Sequence, residues 1–136
     1  MANIALTTAN RVEVVGIPIS QFTVPAEEAV VAGGAARFAA SGMWTNSNGT
    51  TTTEANTFGI FTRSCAARET VTCIRKGILD GYDLSALAFG DKVYLSDTDG
   101  RLSTTAGTVS KVIGVVVPGT ASTLGTAYKK LLFVDL

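Results

Sequence analysis

The residues best equipped for chemistry lie in the stretch DKVYLSDTDGRLSTT, Asp91 to Thr105. There Asp97, Asp99 and Gly100 have the spacing of part of an EF-hand calcium loop. With Gly100 as the glycine at position 6, Asp97 and Asp99 fall on positions 3 and 5. Position 1 is then Leu95 and position 12 is Ala106, and neither offers an oxygen ligand. A turn uses the same residues without strain. Asp97 is placed to accept from a backbone N–H two residues on, Asp99 tolerates tight dihedrals, and Gly100 supplies a positive φ. The stretch therefore predicts a hairpin tip with Val93 and Leu95 paired to Leu102, and no metal.

Other chemistry has little to build on. The 136 residues include no histidine, which removes the usual general base, the histidine-dependent triads and dyads, and the commonest zinc ligand. Carboxylates such as Asp80 and Asp83 could do acid/base work only in a pocket that joins them. Cys65 and Cys73, the only two cysteines, show neither zinc-ribbon nor redox spacing and read as reduced, partly buried thiols. GGAARFAASG has glycines but no phosphate-loop signature. Trp44 with Tyr82, Tyr94 and Tyr128 suggests a sugar platform on a tail or fibre subunit. A lone Trp also suits a core or a subunit interface. The chain is thus read as non-enzymatic, with no cofactor.

Eleven basic and eleven acidic side chains cancel, and only 16% of residues are charged. A neutral surface does not gather phosphate, so no direct nucleic-acid partner is expected. Nor does it keep copies apart, which favours assembly. The apolar runs are too short to cross a bilayer, and the first residues lack the pattern of a signal peptide, so synthesis in the cytoplasm is expected.

The elements that must position these residues read as short strands between Gly, Asn, Asp and Thr. NRVEVVGIPIS alternates Val12 and Val14 with Arg11 and Glu13, then breaks at Gly16 and Pro18. ETVTCIRKGIL sets Val71 and Cys73 against Thr70 and Thr72, and DKVYLS sets Val93 and Leu95 against Lys92 and Tyr94. SKVIGVVV and KKLLFVDL suit strands covered on both faces. Short helices are considered in VPAEEAVVAGGAARFAASG, after Pro25, and as one turn in YDLSALAFG. The polar tract TNSNGTTTTEANT predicts an exposed loop. Gly34, Arg37-Phe38, this tract and FGIF echo Gly90, Val93-Tyr94, SDTDGRLSTT and VIGVV at an offset of about 55 residues, as two similar hairpins in one barrel would. The prediction is an all-β fold, a compact barrel or sandwich over 23–136, with an extended N-terminal arm over 1–22.

The segment GILDGYDLSALAFGDKVYLSDTDGRLSTTAGTVSKVIGVVVPGT, Gly77 to Thr120, resembles the capsid decoration (cement) proteins of tailed bacteriophages, of the lambda head-decoration type. The resemblance rests on Gly90-Asp91-Lys92-Val93-Tyr94, Gly100 with Leu102, and Ile113-Gly114-Val115. It implies a β-rich virion protein, assembled in the host cytoplasm and seated on the outer surface of an expanded capsid. There it would stabilise the shell as a homotrimer bound to the major capsid protein. It also implies capsid contacts from an N-terminal arm, for which Ile4, Leu6, Val12, Val14 and Phe22 are the candidates; Trp44, on its own chemistry, is the candidate for a subunit interface. Removing residues 1–22 is then expected to weaken capsid binding and leave the fold intact.

Overall fold

The computed structural model describes residues 2–8, 10–119 and 128–136. Met1, the first residue of the expected arm, and Thr120, the last of the resembling stretch, lie outside them. The described residues form ten strands and no helix: β1 (Asn3–Ile4), β2 (Glu13–Pro25), β3 (Ala35–Phe38), β4 (Trp44–Asn46), β5 (Gly59–Phe61), β6 (Thr70–Asp80), β7 (Lys92–Leu95), β8 (Leu102–Ser103), β9 (Val112–Pro118) and β10 (Lys130–Asp135).

Pairing follows from alternation. In β6 Val71 and Cys73 are buried while Thr70 is exposed, and in β7 Val93 and Leu95 are buried while Lys92 is exposed. The strands join in one antiparallel sheet, ordered β1-β8-β7-β9-β10-β6-β5-β3-β4, which curls into a half-barrel. β6 is its hub. One edge carries β10 at residues 76–79 and β5 at residues 73–74, and β2 runs along the whole of the other. The larger core cluster holds Ile60, Ile74, Leu79, Val93, Leu95, Ile113 and Leu132. A second gathers Val30, Trp44, Phe61, Val71 and Cys73. Each fully buried aliphatic side chain contributes about 1.5–3 kcal/mol.

The internal echo has a structural counterpart. β3 lies between β4 and β5, and β7 lies between β8 and β9, so both units have the same strand order. Each third strand carries a glycine against the strand that follows it. A Cβ on Gly59 would stand 2.7 Å from the Ile74 carbonyl oxygen, and one on Gly114 would overlap that of Phe133.

Three expectations are corrected. The alanine-rich stretch forms no helix. Ala26 bridges Trp44, Val30 exchanges backbone hydrogen bonds with Cys65, and Gly33 takes a positive φ of 80° that ends any helical run. Residues 1–22 are not a separate arm, because β1 pairs with β8 and a boundary at residue 22 falls inside β2. Ile4 and Val12 belong to the chain's own core, so deleting the segment would open that core and strip β6 of most of its partner. The polar tract is also half covered: Ser47 is fully buried, donates to the Glu54 carbonyl and meets the Thr57 hydroxyl at 2.7 Å. Its hydroxyls satisfy one another, so little apolar content was needed to bury it.

Candidate functional site: a tied hairpin junction and an aromatic edge

The β7–β8 turn forms as expected, with Leu95 opposite Leu102 and Gly100 at φ 75°. Its chemistry differs from the expected pattern. Ser96 accepts from the backbone two residues on, Thr98 N–H at 3.1 Å. Asp97 reaches across to the loop before β9, where its carboxylate accepts from the Thr108 N–H at 3.0 Å and the Thr108 hydroxyl at 2.7 Å. Asp99 accepts from the Asn48 side-chain amide at 2.7 Å.

Those bonds belong to a wider tie. Gly49 N–H donates to the Ser96 carbonyl at 2.8 Å, and Val109 N–H donates to the Gly49 carbonyl at 2.7 Å. The tip of the first three-stranded unit is thus clasped by the second. Ser96 also donates its hydroxyl to Asn3 Oδ1 at 2.6 Å, which fixes the N-terminal strand to the same junction. The stretch that resembled a calcium loop is a joint between the two halves. Among the described residues no three His, Cys, Asp or Glu side chains converge as a metal site.

The other candidate groups are separate from this joint. Asp80 pairs with Lys129 beside a cleft of about 200 Å³ lined by Thr7, Arg11 and Glu13. Asp83 lies outside that cleft and accepts from the Ser85 hydroxyl and N–H. The Ser85 hydroxyl, then its N–H, hold the Asp83 carboxyl below its ordinary pKa. That cleft does not join the two carboxylates. Cys65 and Cys73 are free thiols, and burial pushes both pKa values up, away from the thiolate that reactive cysteines need. A larger cleft of about 510 Å³ opens between Ile4, Leu6, Val31, Tyr82 and Leu102. Tyr82 is buried there and donates its hydroxyl to the Gly33 carbonyl at 2.6 Å.

Trp44 is neither an open sugar platform nor itself at a surface. It is 0% exposed and its indole N–H donates to the Val71 carbonyl at 2.9 Å. Phe38 stacks on it with centroids 4.5 Å apart, and Phe22 meets it edge-on at 6.3 Å. Phe22 and Phe38 are the outer members of this aromatic cluster, 48% and 40% exposed. Among the expected contact residues, Ile4 and Val12 are buried, Leu6 and Val14 are half-buried, and Phe22 is exposed on β2. Ile19, on the same strand, was not singled out from sequence and is 65% exposed. Its signal was an apolar residue just past the Gly16-Pro18 break, where burial by β6 is interrupted.

Glu28 holds the segment before β3 to β4. Burial raises its pKa, but the Asn46 N–H, the Thr45 hydroxyl, the Asn46 side-chain amide and the charge of Arg37 together outweigh that and hold it low. Arg37 also pairs with Glu54 at 3.0 Å. No protein-family model, curated protein or solved structure matches the chain.

Proposed function

We propose that the chain is a structural virion protein, which binds the outer surface of an expanded phage capsid and stabilises the shell. In this reading its partners are the major capsid protein and two further copies of itself in a trimer. The observation that carries it is the resembling motif set, which folds as one unit. Gly90, at φ 88°, opens β7, Gly100 forms the tip before Leu102, and Gly114 sits in β9 against β10. The all-β architecture is the one that resemblance implies.

A second line of support is the distribution of apolar surface. Val15, Ile19 and Phe22 on β2 are exposed, and so are Phe89, Val112 and Tyr128. Exposed large apolar side chains on a neutral chain fit one that works by docking. Many modest contacts repeated over a lattice stabilise a shell without strong single contacts.

The test is co-sedimentation with capsids before and after expansion. Binding confined to expanded capsids, with a raised capsid melting temperature, is the expected result. Equal binding to unexpanded procapsids, or no binding at all, would remove the reading. Because Ile4 and Val12 are built into the core, contact residues are better tested by point substitution of Ile19 than by truncation.

A further inference from the structure

Asn48-Gly49 is the only Asn-Gly pair in the sequence, and it sits in the joint between the two halves. Asparagine is a labile side chain, and it is most labile before glycine. With no side chain on the following residue, that residue's backbone nitrogen can swing onto the asparagine Cγ. The fold leaves little choice of residue there. A Cβ on Gly49 would stand 2.8 Å from Asp97 Oδ1 and 3.4 Å from the Leu95 and Val109 carbonyl oxygens, and Gly49 is buried. The close approach that makes the clasp therefore also puts the most labile dipeptide inside it.

We propose that Asn48 is a self-modification site, which loses its amide as ammonia when the joint opens and leaves a carboxylate that keeps the joint from closing again. In the closed joint both reacting nitrogens are held by the β7–β8 turn. The Gly49 N–H, which must give up its proton, donates to the Ser96 carbonyl at 2.8 Å. The Asn48 side-chain nitrogen, which must leave, donates to Asp99 at 2.7 Å. Opening releases the two together. A further pair of contacts is local and survives opening: the Thr50 hydroxyl and N–H donate to Asn48 Oδ1 at 2.6 Å and 3.1 Å. They sit where negative charge develops when Cγ is attacked, so the freed site keeps a polarised carbonyl.

The reaction balances with water as the only co-reactant. The Gly49 nitrogen loses its proton to water and bonds to Asn48 Cγ. The bond from Cγ to the side-chain nitrogen breaks, and ammonia departs with a proton returned from water. A second water opens the cyclic imide to aspartate or isoaspartate. Nothing is oxidised or reduced, and the net change consumes one water and releases one ammonia. The new carboxylate then faces Asp99 where an N–H stood, and two like charges share the site. Isoaspartate also adds a carbon to a backbone whose Asn48 N–H is held by the Glu54 carbonyl at 3.1 Å. None of this depends on the capsid reading.

The purified chain is incubated at mildly alkaline pH, native and in denaturant, and the Asn48 peptide is followed by mass spectrometry alongside amide exchange at Gly49. Asp99-Gly100 can close a similar ring, but its isomerisation changes no mass, so the mass gain identifies Asn48. The native chain is expected to react far more slowly than the denatured one. Asp97→Ala keeps Asn48, Gly49, Thr50 and Asp99 and is expected to quicken modification about fivefold or more, in step with exchange at Gly49. Urea below the unfolding transition opens the joint without altering it and should quicken both rates together. Asn48→Asp is expected to quicken exchange at Gly49 and Val109 while the β6 amides stay protected. Adding Asp99→Asn returns an N–H to the pair and is expected to restore that protection. The proposal is overturned if the native chain reacts as fast as the denatured one. It is overturned equally if exchange at Gly49 quickens, in the variant or in urea, while modification does not. An Asn48→Asp joint as well protected as the wild type would remove the claim that the product holds it open.

Discussion

At the residue scale, the tightest constraints are backbone approaches rather than reactive groups. Gly114 is the sharpest, since any side chain there meets the Phe133 carbonyl of the neighbouring strand and Leu132. Gly114→Ala is expected to cost about 1–3 kcal/mol, by strain in a closely packed sheet, read as a lowered midpoint in chemical denaturation. Gly42→Ala, at a glycine with open space but a φ of 84°, is expected to cost only about 1–2 kcal/mol, through backbone conformation alone. The sequence made Gly100 legible because Asp-Gly turn chemistry is local. The partner of Asp97 was not legible, because Thr108 comes from another loop. Trp44 was equally opaque: a single aromatic residue is consistent with a core, a platform or an interface until its neighbours are known.

At the element scale, strands with strict alternation were readable and those with mixed cues were not. β7 follows a period of two throughout and β6 does so at both ends, Thr70 to Cys73 and Gly77 to Asp80, while β9 and β10 stand out as apolar runs. The stretch around Glu27, Glu28 and its alanines has helical propensity, yet its backbone bonds go to Trp44 and Cys65. Long-range pairing overrode local preference there. The N-terminal strands failed differently. Pattern shows that Ile4 and Val12 are strand-like and apolar, but not whose core covers them. The joint between the two units is also an element-scale feature. Asp97→Ala removes the acceptor of Thr108 and is expected to cost about 1–3 kcal/mol. Hydrogen exchange should then quicken at Thr108, Val109 and Gly49 while the amides of β6 stay protected, as expected for loss of a tie between two folded halves.

At the scale of the whole molecule, stability is expected to fall in acid through Glu28. Its folded pKa is held below the ordinary 4.5, so the unfolded chain takes up the proton first. The stabilisation is complete above about pH 4.5 and disappears as pH falls through the lowered folded value. Asp83, also held low, has the same sign. Thermal melts from pH 7 to pH 3 should show a falling midpoint, with a shallower slope in Glu28→Gln. An unchanged slope in that variant would assign the acid sensitivity to other carboxylates.

The pairing of β1 with β8 has a consequence in time. Thr104 N–H closes on the Ala2 carbonyl at 3.0 Å, and 102 positions separate the two residues. During synthesis at about 5–20 residues per second, the first strand waits roughly 5–20 s for its partner to be made. Over that interval Ile4 has none of its final cover from the β7–β8 unit. Strand β1 is therefore exposed longer than the hairpin that covers it, and yield in a cell should depend on what shields it until the hairpin arrives.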